Sequence, residues 1–270
     1  MRAIVRKILP LAIRDLLRPL FQKDLRKQRA RNRERDHHIK VAMGLRSELW
    51  KATGGLIASG SFQGMRYIED ASGSAWTPKV LGTYEKELSP VINEIIATHY
   101  HQIVDIGAAE GYYAVGLAWR MPQVHVVAFE ANEHGRLLLN RLATLNETID
   151  RLRIEGFCSD STLGSILGGY GKTLMICDVE GAELEIMDPS KTPALLTCDV
   201  LVEIHNWVIP NMKELISERF ERTHVILPIH SRPRKAADAP NLGKFSRTQL
   251  LACMDETRAR TMSWLWMKSR

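Results

Sequence analysis

Residues 103–118 read IVDIGAAEGYYAVGLA, and this stretch decides the fold. An apolar, β-branched run ends in an acid, Asp105. A turn of small residues follows, with Gly107, Ala108 and Gly111, and then a helical pattern. Glycines let backbone approach a ligand closely, and the start of a helix offers unpaired N–H groups. In an open α/β sheet, a turn of this kind at the end of the first strand lies where ligands collect.

Outward from this stretch the chain alternates. Apolar β-prone runs recur at HQIVDIG (101–107), VHVVAFE (124–130), RLRIEGF (151–157), TLMICDV (173–179), DVLVEIH (199–205), THVILPI (223–229) and TMSWLWM (261–267). Helical patterns such as HGRLLLNRLATLN (134–146) and NMKELISERFER (211–222) separate the earlier ones. Strand–helix alternation with seven strands predicts a doubly wound, Rossmann-like α/β sheet. SRPRKAADAPNLGKFS (231–246) reads as a loop with no full helix before the seventh strand, so the last strand is expected to enter antiparallel. Met262, Trp264 and Trp266 share one strand face and are expected in the core.

The turn also discriminates between cofactors. A dinucleotide fingerprint is GxGxxG, but position 109 is Ala109, where a pyrophosphate needs glycine. Asp105 would repel a diphosphate and attract a cationic amine. Glu130 closes the second strand, 23 residues beyond Gly107, where an acid accepts both ribose hydroxyls. An adenosine carrying an amino-acid head and a sulfonium meets all three preferences, and the expected cofactor is S-adenosylmethionine.

VDIGAAEGYYA (104–114), VVAFEAN (126–132), MICDVEGAELEIM (175–187) and LVEIHN (201–206), in this order, resemble the FkbM-type class I methyltransferases, with the DVEGAE run at 178–183 the most specific element. The resemblance spans roughly residues 80–230. It implies the seven-stranded methyltransferase sheet with its last strand antiparallel, and methylation of hydroxyls, commonly on sugars or polyketides. By position it implies that Asp105, Gly107, Ala108, Gly111 and Asp178 line the methionine and sulfonium end. Glu130 and Ala131 would hold the ribose. Cys158, Ser159 and Asp160 would lie near the adenine.

Methyl transfer to a hydroxyl needs an aligned nucleophile and a base to take its proton. The fourth and fifth strands should end beside the methyl group, where the sequence offers Asp178, Glu180, Glu203, His205 and Asn206. Asp178, His205 and Glu180 are the catalytic candidates. Asp178, Glu203 and His205 could instead gather a divalent metal that lowers the acceptor's pKa; a third reading has these groups only bonding one another. Glu85, Lys79, Tyr84 and Arg66 are thinner candidates, each with an ordinary packing role as the alternative.

Three regions are expected: a basic arm at 1–40, a glycine-containing preamble or lid at 41–100, and the cofactor-binding domain at 101–270. The arm carries 13 Lys and Arg against 4 Asp and Glu, a net +9, whereas the other 230 residues carry 24 against 27, a net −3. Ile13, Leu16, Leu17 and Leu20 fall at helical spacing, and Pro10 and Pro19 are expected to limit that helix. The arm is read as a solvated helix, a contact to an anionic membrane surface, or a contact to RNA. No 18-residue apolar run and no signal-peptide pattern is present, so a cytoplasmic protein, peripheral to a membrane if the arm binds one, is expected. Cys158, Cys177, Cys198 and Cys253 show no CxxC spacing and read as reduced packing residues. The expected acceptor is a small molecule or glycan. A nucleic-acid acceptor is disfavoured by the lack of an NPPY-type motif and of a Pro-Cys after the fourth strand, and by the few aromatics in the arm. A binding protein without turnover is the alternative from outside the enzymes.

Overall fold

A computed structural model of the protein describes the backbone of residues 11–168 and 171–270, and the side chains of 28–159, 161–168 and 171–270. Expectations placed on residues 1–10, on side chains 11–27 and on the side chain of Asp160 lie outside this range.

The alternating apolar runs form seven strands: β1 (Gln102–Ile106), β2 (His125–Phe129), β3 (Leu152–Glu155), β4 (Thr173–Cys177), β5 (Asp199–Glu203), β6 (His224–His230) and β7 (Ser263–Ser269). They make one sheet in the order β3-β2-β1-β4-β5-β7-β6. The first five are parallel, while β7 runs antiparallel to both β5 and β6. The fold is therefore the Rossmann-like α/β sheet expected, with β7 inserted antiparallel.

The helices are α1 (Leu11–Thr53), α2 (Trp76–Leu81), α3 (Ser89–Ala97), α4 (Tyr112–Arg120), α5 (Glu133–Leu145), α6 (Asp160–Leu167), α7 (Glu183–Ile186), α8 (Met212–Phe220) and α9 (Arg247–Met254). Two of them depart from expectation. Pro19 lies inside α1 and does not end it, and α1 continues through residue 40 to Thr53. A full helix, α9, also follows the 231–246 loop. Ser246 caps α9 by accepting from the Gln249 amide, and the Gln249 side chain answers at the Ser246 amide.

Period-two alternation sorts the strands between two cores. Val104, Ile106, Met175, Val200 and Val202 pack with α6 and α8 on one face. Ile103, Val126, Leu174, Leu201, Trp264 and Trp266 pack with α3, α4 and α5 on the other, and Met262 joins them. Phe62, Met65, Tyr67, Ile68 and Trp76 belong to this second core, so the preamble is packed onto the sheet. A smaller cluster joins Leu49 of α1 to Leu81, Leu250 and Met254. Cys177, Cys198 and Cys253 are buried, in keeping with packing residues.

Candidate active site

A cavity of about 1090 Å³ opens at the carboxyl ends of β1, β2, β4 and β5. The turn after β1 forms its floor. Gly107 has φ +89°, and a Cβ there would stand 1.7 Å from the Asp178 carbonyl oxygen. The amides of Gly107 and Ala108 donate to the Phe129 carbonyl at 2.9 Å. The first glycine is thus demanded by the turn's contact with the end of β4, not by a ligand. Gly111 (φ +95°) does not line the cavity; a Cβ there would meet Leu139 Cδ1 at 2.2 Å, so this glycine seats the turn against α5. Ala108 and Ala109 lie on the wall.

Asp105 points to the α4 side of the sheet and is buried on the cavity wall. Burial, with the Asp178 carboxylate behind it, pushes its pKa up to about 7. A cation beside it would return it to the charged form.

Glu130 leaves the end of β2. Its Oε2 accepts from the Ala109 amide and its Oε1 from the Asn132 amide, each at 2.7 Å. Each oxygen keeps a lone pair for a further donor, and the residue lines the cavity with Ala131, Cys158 and Ser159. Ser159 also caps α6, accepting from the Thr162 amide at 3.3 Å. Phe157 stands on the same wall with 82% of its surface exposed. The RLRIEGF run predicts a strand through Phe157, but β3 stops at Glu155 and leaves the ring outside the strand.

The DVEGAE run forms a tight turn after β4, with positive φ at Glu180 and Gly181. Glu183, fully buried, holds it: Oε1 accepts from the amides of Val179 (3.1 Å) and Gly181 (3.2 Å) and lies 2.6 Å from His205 Nδ1. The other ring nitrogen faces Glu180 at 3.4 Å and Asp178 at 3.8 Å. Burial opposes the imidazolium, but Glu183, Asp178 and Glu180 outweigh it and raise the His205 pKa. His205 is 1% exposed and stands behind Asp178 and Glu180 rather than on the cavity wall. Asn206 accepts from the Lys213 amide at 3.1 Å, supporting the start of α8.

Asp178, Glu203 and His205 offer ligand atoms within 4.8 Å of one another. Burial and the Glu85 charge raise Asp178 to about 6. Glu203 is pushed well up by burial and by Asp178 and Glu85, against the pull of Arg258.

Arg258 is a central residue that sequence reasoning missed. Its Nη1 donates to Glu203 at 2.8 Å, its Nη2 pairs with Glu85, and its Nε lies 2.9 Å from Glu256. Glu85, expected as a lid-side candidate, is buried and also accepts from the Tyr113 hydroxyl at 2.6 Å. Lys79 and Tyr84 line the cavity too. Arg66 does not; its backbone pairs with the Asn146 side chain. Among the described residues on the wall are eight carboxylates but only three cations, Lys79, Arg258 and Arg260. This imbalance favours a ligand of net positive charge.

No family model and no curated protein matches the chain. Solved structures with a similar fold include an O-methyltransferase from Bacillus cereus in complex with S-adenosylhomocysteine, 12% identical, covering 68% of this chain and 81% of its own, TM-score 0.45. A human methyltransferase 10 domain containing protein is 11% identical over 86% of this chain and 97% of its own, TM-score 0.48. A Pyrococcus abyssi tRNA uracil methyltransferase, also with S-adenosylhomocysteine, is 12% identical over 69% of this chain and 38% of its own, TM-score 0.42.

Proposed function

We propose that the protein is an S-adenosylmethionine-dependent methyltransferase of the FkbM type that methylates a hydroxyl of a small molecule, sugar or glycan. The observation that carries this reading is one cavity walled by Asp105, Glu130 and Asp178 at the ends of β1, β2 and β4. The donor set fits the cofactor's groups. Glu130 would accept from the ribose, Asp105 would face the ammonium and sulfonium end, and the exposed Phe157 ring beside Ser159 would offer the adenine an apolar surface. Bound there, the cofactor supplies a methyl group already activated by the sulfonium.

Asp178 is the base. It is on the wall, whereas His205 is behind it, so His205 is a positioning residue fixed through Glu183. Glu180, 82% exposed at its side chain, faces the acceptor side. The Asp178–Glu203–His205 cluster would also suit a divalent ion. Against that, the Arg258 guanidinium already sits on Glu203 and supplies positive charge there. Turnover is therefore expected to persist in excess EDTA; its loss, with recovery on adding Mg²⁺ or Mn²⁺, would reinstate the metal.

The binding half is tested by calorimetric titration with S-adenosylmethionine, S-adenosylhomocysteine and NAD. The first two should bind and NAD should not. Glu130→Ala should raise the S-adenosylhomocysteine Kd by roughly 10- to 100-fold, the worth of charge-assisted bonds to the ribose, with an unchanged far-UV spectrum. Equal affinity in the variant would remove Glu130 from the ribose.

The basic arm favours a peripheral place on an anionic membrane surface, where lipid-linked acceptors are built; among the described residues no helix is long and apolar enough to cross a membrane. RNA as acceptor is the second reading of the arm's charge. The acid-rich cavity speaks against a phosphate entering at the methyl-transfer end.

A further inference from the structure

The preamble places one buried cation beside the turn after β1. Lys79, on α2, is 2% exposed yet lies on the cavity wall. Its ammonium pairs with Glu110, which is fully buried within the AAEG turn itself. Glu110 also accepts from the Tyr67 hydroxyl at 2.6 Å and, through Oε2, from the Ser72 amide at 3.0 Å. One acid of the turn thereby ties down both Lys79 and the Ser72–Gly73–Ser74 loop, and all three loop residues reach the same wall.

The position is held stiffly. Gly82 ends α2 at φ +71°, and a Cβ there would come within 1.8 Å of the Ser59 carbonyl oxygen. The Ser59 hydroxyl donates back to the Leu81 carbonyl at 2.6 Å. The Lys79 ammonium stands 4.8 Å from the centre of the Tyr84 ring and 5.6 Å from that of Tyr112, the first residue of α4. Glu110 takes one of its three N–H donors, and no other hydrogen bond joins it to a described residue.

The charges around the cavity make this position singular. Arg258 is committed to Glu85, Glu203 and Glu256, and Arg260 lies over Trp207 beyond β5. Lys79 is thus the wall cation next to the start of α4, where helix N–H groups also favour an anion. S-adenosylmethionine carries a single anionic group, the carboxylate of its amino-acid end, and Asp105, Glu130 and Asp178 all repel it.

Resting on the cofactor reading above, we infer that Lys79 and the Ser72–Gly73–Ser74 loop, organised by Glu110, form the seat for the carboxylate of the cofactor's amino-acid end. The preamble is then part of the cofactor site. Specificity for the amino-acid end would come from this segment, and specificity for the nucleoside from the ends of β2 and β3.

The test compares S-adenosylhomocysteine with 5′-methylthioadenosine, which keeps the nucleoside and thioether but lacks the amino-acid end. Both are titrated into the full chain, its Lys79→Met variant and the double variant Lys79→Met with Glu110→Gln, which leaves no buried charge unpaired. The inference expects wild type to prefer S-adenosylhomocysteine. It expects each folded variant to lose roughly 10- to 100-fold for that ligand and less than twofold for 5′-methylthioadenosine. A parallel loss of both ligands would make the pair a structural brace only, and no loss of either would remove Lys79 from the site. Wild type binding both ligands equally would overturn the carboxylate seat while leaving the cofactor reading intact. Wild type binding neither would overturn both.

Discussion

Gly107→Ala is expected to destabilise the protein by about 2–5 kcal/mol, summing the penalty of a left-handed backbone for alanine and of overpacking. For a chain of this size that is a fall in Tm of roughly 10 °C. The added methyl would overlap the Asp178 carbonyl oxygen, which is backbone and has nowhere to go, since the Asp178 amide is bonded to Ile106 at 2.9 Å. Gly44 provides the contrast. It lies mid-helix in α1 with nothing within 4 Å of its added Cβ, so Gly44→Ala should stabilise by about 0.5–1 kcal/mol. Urea unfolding of the two variants measures both signs. A Gly107→Ala protein as stable as wild type would mean that the turn does not press on the end of β4.

Asp178→Asn should lower the methyl-transfer rate by roughly 10²- to 10⁴-fold, the usual contribution of a general base, while S-adenosylhomocysteine affinity changes less than tenfold. The acceptor for this assay comes from a screen with labelled methyl groups. The pH profile gives a second check. Burial and the Glu85 charge place the Asp178 pKa at about 6, and the base works only when deprotonated. The wild-type rate should therefore fall as pH drops through about 6, and the variant's residual rate should lack that limb. A variant keeping more than a tenth of the rate would move the proton-accepting role elsewhere, with His205 next in line.

The seven strands were legible because each is a short β-branched or apolar run bounded by turn residues, a signal carried within a few neighbours. The helix α9 was not: its cap is a local Ser246–Gln249 pair, but it follows a stretch rich in polar residues, prolines and glycine that masks it. The acids at the strand ends could be found from position alone. Their separate stations could not, since Glu183 looks like an ordinary first-turn acid until folding puts it 2.6 Å from His205. Arg258 was hidden for the same reason, and Lys79, although a thin candidate from its position, gave no sign of its acid partner. Arg258 joins residues 85, 203 and 256, and Lys79 meets an acid 31 positions away, so neither pairing leaves a trace in local pattern.

The place of β7 bears on how the chain matures during synthesis. β6 is made first but contacts the rest of the sheet only through β7, whose last residue is Ser269. The Ser269 amide closes on Asp199 at 2.9 Å, and the Arg270 amide on Thr223 at 3.0 Å. Until those residues leave the ribosome, β5 presents an open apolar edge and β6 has no partner, a state exposed to aggregation. The part around β1 to β5 can collapse early, but the wall carrying Arg258 and the α9 residues against which Leu49 of α1 packs come later in the chain. A nascent chain halted before Ser269 should therefore be protease-sensitive from β6 onward, and competence at the cavity should appear only once β7 has joined the sheet.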